Sequence, residues 1–398
     1  MTTPSSAGPL ADLRVVEMGQ LIAGPFCGQL LGDMGAQVVK LEPPGVGDPM
    51  RQWGRGQPVW WEVVARNKKS ASLNLRTPEG QDLARRLIGQ ADILIENFRP
   101  GTLEGWNLSP ETLMADNPRL IIVRMSGYGQ TGPYAERTSF GLIGEAMGGW
   151  RHIVGEPDRP PSRMGVSIGD SLAATYGAMG ALSALHERER TGLGQIVDSA
   201  LYEAVLQVME SLIPEYTIAG MTRERSGAFL PGIAPSNVYR CRDGDYLIGA
   251  NQDGIFRRLC QAMGRPELAD DARYATHVAR GANQAELDGL VNEWTRTRDI
   301  AEVEALLIEH GVPAGRLYRA PEMLEDPHFA AREAIIKLPH PRWGEVAMQN
   351  VFPKLSRTPG SVRSIAPQTV GQDNAEIWGG MLGLTEDEIA ALTARGVI

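Results

Sequence analysis

The sequence predicts an α/β protein in which a parallel β-sheet domain is accompanied by a smaller α+β domain. Two observations predict the sheet: β-branched runs alternate with helical patterns, and each run ends in a polar or glycine-rich loop. A third observation, a Pro/Gly-rich change of pattern at 223–237, marks the smaller domain. The length of 398 residues is enough for two or three domains with sizeable cores.

The first elements form a strand–helix–strand unit. Residues 13–19 (LRVVEMG) are a short β-branched run, and residues 24–35 (GPFCGQLLGDMG) have helical spacing and end on glycine. Residues 36–44 (AQVVKLEPP) form a second run that two prolines stop. A unit of this kind makes its two strands parallel, so we expect a parallel sheet.

The alternation continues with a helix over 77–90, for which Thr77 is the predicted N-cap, and with strands over 91–98 and 118–129. In open parallel sheets, ligands bind beyond the carboxyl ends of the strands. The loops that follow the strands are therefore the expected ligand site. These loops are GQLIAGP, EPPGVGDP, ENFRPG and SGYGQTGP.

The stretch 165–182 (GVSIGDSLAATYGAMGAL) predicts the start of a buried helix, with Asp170 at its mouth. After it, a turn and a short strand lead into a long helix capped near Asp198 or Ser199. The smaller domain is expected to contain a hairpin about Asp243–Gly244 and three helices. These helices lie near 254–264, 283–295 and 300–310.

The last part of the chain returns to a strand-like pattern and ends in a helix, where Thr385 and Glu388 form a predicted capping box. We expect this part to pack back on the first domain. The resulting domain boundaries are 1–224 for the N-terminal part of the large domain, 225–330 for the small domain and 331–398 for the C-terminal return.

Composition excludes several classes of protein. The net charge of −9 disfavours broad nucleic-acid binding. The three cysteines form no CxxC pair, and no two of the six histidines have the spacing of metal ligands. We therefore expect neither disulfides nor a metal site. No secretory leader and no membrane span are visible, and the chain is predicted to be cytoplasmic. P-loop and HExxH motifs are absent.

Two features carry possible chemistry. Basic residues near strand ends, in RNKKS (66–70) and at Arg76 and Arg99, form either a phosphate site or a solvated charged face. Asp170 is either a helix cap or a nucleophile kept ionised at a helix N-terminus. The residues alone leave both alternatives open.

Several motifs together resemble the class III coenzyme A transferase family, of the formyl-CoA transferase and carnitine CoA-transferase type. The resemblance spans nearly the whole chain. The motifs are AGPFCGQLLGDMGAQVVKLEPPGVGDPMRQWG, RNKKSASLNLRTPEG, ADILIENFRPGTLEGWNLS, VRMSGYGQTGPY, GVSIGDSLAATYGAMGAL and AREAIIKLPHPRWGEV.

The resemblance implies a large doubly wound (Rossmann-like) domain built from both chain ends, a small α+β domain and an interlocked homodimer. The active site would lie between the large domain of one chain and the small domain of the other. Asp170 would be the catalytic nucleophile, and coenzyme A or acyl-CoA would be a substrate, with no permanently bound cofactor. The CoA contacts would be Ile22, Ala23, Lys40, Leu73, Asn74, Leu75, Arg76, Asn97, Phe98, Arg99, Arg137 and the stretch 138–141.

The implied activity moves CoA between an acyl-CoA, such as succinyl-CoA, and a free carboxylic acid through an aspartyl anhydride and a thioester. Gly105 replaces an arginine that some members use for the CoA phosphates, RTSFG (137–141) departs from the usual motif, and the glycine-rich lid of the formyl-CoA enzyme has no counterpart. These departures favour the dicarboxylate branch. Candidates for holding a distal carboxylate are Arg51, Arg66 and Arg137.

Two other functions remain open. An α-methylacyl-CoA racemase shares the fold and resembles this pattern, but it uses a histidine near the equivalent aspartate, and no histidine precedes His152 here. A non-catalytic CoA-binding protein would keep the pocket and would not exchange acyl groups.

Overall fold

The structure, a computed structural model, describes residues 8–398. The chain divides into two compact units that are each built from separate stretches. The first unit comprises Met1–Trp150, Met164–Ser211 and Ala330–Ile398, and the second comprises Arg151–Arg163 and Leu212–Phe329. The sequence-based boundaries lie after residues 224 and 330, whereas the structural divisions fall after 150, 163, 211 and 329.

The first unit contains a six-stranded sheet in which all neighbouring strands pair in parallel. Its strands are β1 (Arg14–Glu17), β2 (Gln37–Glu42), β3 (Lys68–Ser72), β4 (Ile93–Glu96), β5 (Ile121–Ser126) and β6 (Ile196–Ala200). The spatial order β3-β2-β1-β4-β5-β6 is that of a doubly wound fold, and the strand order reverses between β1 and β4. The predicted parallel sheet is confirmed.

The helices of the first unit connect the strands of this sheet and pack against it. They are α1 (Ala23–Asp33), α2 (Trp60–Val64), α3 (Pro78–Ile88), α4 (Thr102–Gly105), α5 (Pro110–Asp116), α6 (Gly141–Met147), α8 (Ile168–Thr191) and α9 (Leu201–Leu206), whereas α7 (Trp150–Ile153) belongs to the second unit except for its first residue. The predicted N-cap of α3 is confirmed, because the hydroxyl of Thr77 accepts a hydrogen bond from the Gly80 N–H. A short 3₁₀ turn covers Pro49–Gln52.

Small residues let helix α8 approach the sheet closely. A Cβ on Gly177 would lie 3.1 Å from Cγ1 of Val123, and a Cβ on Gly180 would lie 2.5 Å from Cγ1 of Val197. The expectation of a buried helix holds for this face only, because Met179 and Leu182 are 56% and 44% exposed on the other. Among the described residues, no helix has both the length and the apolar character needed to cross a bilayer.

Helix α8 runs antiparallel to the strands. Near its start, the hydroxyl of Ser199, close to the carboxyl end of β6, donates to the Ala173 carbonyl at 2.9 Å. Near its end, Arg188 pairs with Asp92, which precedes β4, at 3.0 Å. The N-terminus of α8 therefore lies at the carboxyl edge of the sheet.

The second unit is built around a three-stranded antiparallel sheet. Its elements are α10 (Leu212–Ala219), β7 (Ser236–Arg240), β8 (Asp245–Gly249), α11 (Asp253–Ala262), a 3₁₀ turn (Pro266–Ala269), α12 (His277–Ala282), α13 (Gln284–Arg296), α14 (Ile300–Glu309), β9 (Ala314–Arg316), α15 (Ala320–Glu325) and α16 (Pro327–Ala331), the last of which crosses into the first unit. The predicted hairpin and the three predicted helices are confirmed.

One predicted helix is wrong. Asp198 and Ser199 lie in strand β6, and the helix that follows, α9, ends at Leu206. Before α10 begins, Glu210 has a φ of 55°, a left-handed conformation that no continuous right-handed helix contains. The predicted long helix is thus divided into two short helices.

The C-terminal part of the first unit contains the antiparallel pair β10 (Ile335–His340) and β11 (Gly344–Gln349), a π-helical segment (Ala375–Met381) and α17 (Glu386–Ala394). The capping box of Thr385 and Glu388 is confirmed. This part covers the edge strand β3, because the Ser70 N–H donates to Asp373 at 2.7 Å and the Ser72 N–H donates to Asn374 at 2.8 Å. The tail therefore contacts the sheet, as expected.

Candidate active site

A cleft of about 520 Å³ opens at the carboxyl edge of the sheet. Its lining includes Met18, Glu42, Leu73 and Phe98, which lie at the ends of β1, β2, β3 and β4 or within two residues after them. The volume lies within the range of ligand pockets, and the position beside the reversal of strand order is where doubly wound folds bind ligands.

The cleft brings together five of the residues implied as CoA contacts: Leu73, Asn74, Leu75, Arg76 and Phe98. The ring of Phe98 packs against Trp106 in an edge-to-face arrangement, with centroids 5.0 Å apart. Arg76 is exposed, and within residues 8–398 its guanidinium has no ion pair. The cleft thus combines an aromatic wall with one cation that is available to a ligand.

Lys40 does not line this cleft. Its side chain is 1% exposed and pairs with Glu17 at 3.2 Å and with Asp48 at 2.9 Å, and its ammonium also donates to the Gly19 carbonyl. Burial alone would lower the pKa of Lys40, but Asp48 and Glu17 together raise it above its usual value. The ammonium is therefore a permanently charged internal group.

Three other residues implied as CoA contacts, Ile22, Ala23 and Asn97, lie in or beside the connection between β1 and α1. Ile22 packs against the small core cluster that contains Met50, and Ala23 is buried. The amide of Asn97 is bound on both sides by the backbone of Gln20, at 2.7 and 2.8 Å. These residues shape the connection, and their side chains are engaged with the protein.

Arg99 and Arg137 lie on the surface. Arg99 donates to the Glu136 carbonyl at 2.6 Å, and the guanidinium of Arg137 lies over the ring of Tyr134, 3.6 Å from its centroid. Neither residue is among those that line the cleft.

Two of the three cations in the basic run RNKKS depart from both predicted roles, whereas Lys69 is exposed and pairs with Glu376 at the surface. Arg66 pairs with Asp33 at 2.6 Å and Lys68 pairs with Glu17 at 2.6 Å, and both cations are nearly fully buried. Neither is a solvated surface charge, and neither has a free position for a phosphate. Arg66 is equally unsuited to hold a substrate carboxylate, which corrects that expectation.

Arg51 is also engaged. Its guanidinium forms a two-point contact with the Glu42 carboxylate, at 2.7 and 2.8 Å. Burial raises the pKa of Glu42, but Arg51, Ser70 and Lys40 together lower it by a larger amount, so the net pKa is below the usual value. The pair anchors the end of β2 beside the cleft.

Asp170 is the third residue of helix α8, and Ser167 occupies the N-cap position. Asp170 is therefore not the N-cap, although a carboxylate in the first turn still interacts favourably with the helix dipole. Its side chain is half-buried. Because the N-terminus of α8 lies at the carboxyl edge of the sheet, Asp170 is at the same edge as the cleft.

The Asp170 carboxylate lies directly against the backbone of Gly141, the first residue of α6. A Cβ at Gly141 would overlap Oδ2 of Asp170 and would lie 2.8 Å from its Cγ. Gly169 makes a similarly close approach, since a Cβ there would lie 3.0 Å from the Gly141 carbonyl. Gly141 thus provides the space that the carboxylate occupies, and Gly169 lets the two helices approach closely beside it.

The cysteines are unsuited to act as nucleophiles. All three thiols are buried and unpaired. Burial raises the pKa of Cys27 to about 12, with Glu17 adding to the effect, and burial also raises the pKa of Cys260 to about 12. Such thiols carry almost no thiolate at neutral pH. In the part of the chain that the structure describes, no group of three His, Cys, Asp or Glu is placed to hold a metal ion.

Sequence reasoning missed several residues of this edge. Trp106 and Gly396 line the cleft, and neither was among the expected contacts, although Trp106 directly follows Gly105 in one of the motifs that carry the resemblance. Gly141 entered only as the last residue of the stretch 138–141. The loops after β1 and β2 did contain a signal, since Gln20 and Pro43 belong to segments that were singled out as strand-end loops.

Comparison with known proteins identifies the family. Residues 10–374 match the family described as CoA-transferase family III. The chain is 58% identical over 403 residues to the succinyl-CoA–D-citramalate CoA-transferase of Chloroflexus aurantiacus, with both chains covered completely. It is 40% identical to the beta subunit of the succinyl-CoA–L-malate CoA-transferase of the same organism, with 98% of each chain covered.

A solved structure of similar fold leads to the same family. A CAIB/BAIF family protein from Brucella suis superposes with a TM-score of 0.84 at 36% identity, covering 94% of this chain and 100% of that one. The family match spans most of the chain, and the named relatives are CoA-transferases over their full lengths. The chain therefore belongs to CoA-transferase family III and is an enzyme of the transferase class.

Proposed function

We propose that this enzyme transfers CoA from succinyl-CoA to a dicarboxylic acid, with D-citramalate as the preferred acceptor. The observation that carries the proposal is the 58% identity, over the whole of both chains, to a succinyl-CoA–D-citramalate CoA-transferase. Relatives that act on other acceptors are more distant, such as the succinate–glutarate CoA-transferase of Agrobacterium fabrum at 36% identity over 83% of this chain.

The proposed reaction uses Asp170 as a covalent shuttle. Its carboxylate attacks the thioester carbonyl of succinyl-CoA, the C–S bond breaks, and CoA leaves as a thiolate, which gives a succinyl-aspartyl anhydride. The thiolate then attacks the aspartyl carbonyl, releasing succinate and leaving an aspartyl-CoA thioester. The acceptor carboxylate attacks that thioester and expels the thiolate, which attacks the acceptor acyl carbon of the new anhydride. Acyl-CoA forms and the Asp170 carboxylate is regenerated.

The position of Asp170 supports this role. The carboxylate is half-buried and lies directly against the backbone of Gly141. Location in the first turn of a helix favours the ionised form that the attack requires. Each step passes through an oxyanion, so backbone N–H groups near the carboxylate would stabilise the transition states.

The cleft is the proposed CoA site, with Arg76 as a phosphate-binding cation. We expect Arg76→Ala to raise the KM for succinyl-CoA by about tenfold at low salt, with kcat little changed, because a charge-assisted contact to phosphate is lost. Steady-state kinetics at two salt concentrations measure both effects. Arg86→Ala, which removes an exposed arginine of the same unit outside the cleft, is the matched control. An unchanged KM for Arg76→Ala would exclude this contact.

Racemisation is the proposal's closest rival. The residue that packs against Asp170 is Gly141, from the same stretch in which a racemase is expected to place its histidine. Incubation of the enzyme with a branched acyl-CoA in heavy water separates the two reactions. We expect no deuterium at the α-carbon in the absence of an acceptor acid, and incorporation there would favour the racemase.

The substrate assignment is tested with succinyl-CoA and a panel of D-citramalate, L-malate, glutarate and mesaconate, with the products identified by mass spectrometry. We expect the highest kcat/KM for D-citramalate. A higher kcat/KM for another acid would reassign the acceptor, and the absence of any acyl exchange would favour a non-catalytic CoA-binding protein.

We further propose that the enzyme is an interlocked homodimer of the cytoplasm. Helix α10 has no buried residue, and Ile218 and Tyr216 on it are 86% and 63% exposed, an apolar surface typical of one that a partner covers. Unpaired buried cysteines are typical of a reducing compartment. Light scattering checks the dimer, for which twice the chain mass of 43.2 kDa is expected. A monomer mass would contradict it.

A further inference from the structure

The connection between β1 and α1, residues 18–22, is called the switch-point loop here. Its backbone is held by side chains of other elements. The ammonium of Lys40, on β2, binds the Gly19 carbonyl, and the Leu21 N–H donates to Oδ1 of Asp48 at 3.1 Å. These two side chains also pair with each other at 2.9 Å.

Asn97, directly after β4, binds the middle of the same loop. The Gln20 N–H donates to Oδ1 of Asn97 at 2.7 Å, and Nδ2 of Asn97 donates to the Gln20 carbonyl at 2.8 Å. Gly19 permits this contact, since a Cβ there would lie 2.9 Å from Oδ1 of Asn97. Four consecutive polar groups of the loop backbone are thereby bound by three side chains.

The loop needs such support because its backbone is strained. Leu21 has a φ of 62°, in the left-handed region that bulky residues rarely adopt. A conformation of this kind persists only where the surroundings determine it, and it is common at ligand sites. The three side chains bind the polar backbone atoms from the Gly19 carbonyl to the N–H of Leu21.

Stability alone does not account for the buried charges. Lys40 lies between Glu17 and Asp48, and all three side chains are at most 1% exposed. Buried ion pairs are often no more stabilising than apolar residues of the same volume, whereas they do fix conformation. A role in orienting the loop accounts for their placement next to the cleft.

The loop forms part of the wall of the cleft, through Met18 and Gln20. We propose that Lys40, Asp48 and Asn97 form a clamp that holds the switch-point loop in the conformation that binds CoA, so that they act as positioning residues without touching the ligand. The proposal rests on the proposed function, in that CoA occupies this cleft. Preorganisation of a binding loop increases affinity because the loop loses less conformational entropy on binding.

Asn97 is the residue to test, since its replacement leaves no buried charge unpaired. We expect Asn97→Ala to weaken CoA binding by about tenfold, equivalent to about 1.4 kcal/mol, and to change kcat at saturating substrates by less than about threefold. Isothermal titration of CoA into the full-length protein measures the Kd, and steady-state kinetics measure kcat.

Asn117→Ala is the matched control. Asn117 also donates to one backbone carbonyl and accepts from one backbone N–H, at 2.9 and 3.1 Å, but it lies at the opposite edge of the sheet, before β5. We expect a comparable fall in Tm and an unchanged Kd for CoA. Equal falls in Tm with an unchanged Kd in both variants would mean that Asn97 is merely structural, which overturns the proposal.

If Asn97→Ala does not fold, Asn97→Asp decides the question. This variant keeps the acceptor for the Gln20 N–H and loses the donor to its carbonyl, and about 0.5 M salt screens the added charge. A Kd for CoA that is weaker than that of the wild type at the same salt concentration supports the clamp, and a wild-type Kd contradicts it. A wild-type protein that binds CoA without transferring it refutes the proposed function while the clamp is still judged by Kd, whereas a failure to bind CoA refutes both.

Discussion

Asp170→Ala should lower kcat by at least about 10³-fold, because the proposed reaction passes through covalent bonds to this carboxylate and no second pathway replaces them. The buried thiol of Cys27, with a pKa of about 12, cannot serve as a substitute nucleophile. Asp170→Asn, which keeps the shape of the side chain, should lose as much activity. CoA affinity should change far less than kcat, since the adduct forms after binding.

Asp387→Ala controls for the removal of an acidic side chain from the first turn of a helix. Asp387 lies in the first turn of α17, in the same unit, and is exposed. This variant should retain full activity. In the wild type, hydroxylamine added with succinyl-CoA should convert Asp170 to a hydroxamate that mass spectrometry detects. Substantial transfer by Asp170→Ala would show that another group forms the intermediate.

Gly141→Ala should lower kcat by about 10²-fold or more while the fold is retained. The new methyl group would occupy the position of the Asp170 carboxylate, so that either the carboxylate or helix α6 has to move. Displacement of a reacting group by about 1 Å is enough for a loss of this size. Since Gly141 does not have a positive φ, the backbone accepts alanine, and the effect arises from the occupied space.

Gly165→Ala is the control for this substitution, because a Cβ at Gly165 has no atom within 4 Å. It should leave kcat and Tm unchanged. Circular dichroism and thermal unfolding establish that Gly141→Ala is folded, and kinetics with succinyl-CoA measure the loss. A folded Gly141→Ala variant with normal kcat would mean that the observed position of Asp170 is not the reactive one.

The elements that were predictable from the sequence are those specified by residues close together in the chain. The caps at Thr77 and Thr385 use donors within three residues, and the hairpin about Asp243–Gly244 is specified by its turn. The alternating strands and helices predict the parallel sheet, and with it the edge at which the cleft opens.

The charged interior was not predictable in this way. Lys40 and Arg66 read as surface or ligand-binding cations because the carboxylates that pair with them, on Glu17 and Asp33, lie 23 and 33 positions away. Only the tertiary structure shows that these cations are enclosed. The same applies to the contact between Gly141 and Asp170, which depends on how two helices meet.

The covered edge of the sheet has a consequence for biosynthesis. Strand β3 is bound by Asp373 and Asn374, which are separated from their partners on β3 by 303 and 302 positions. At ordinary translation speeds, β3 leaves the ribosome about 15 to 60 seconds before the residues that cover it. During that interval the strand presents free N–H groups to any neighbouring nascent chain, so recombinant yield depends on elongation rate and on chaperones that shield exposed strands.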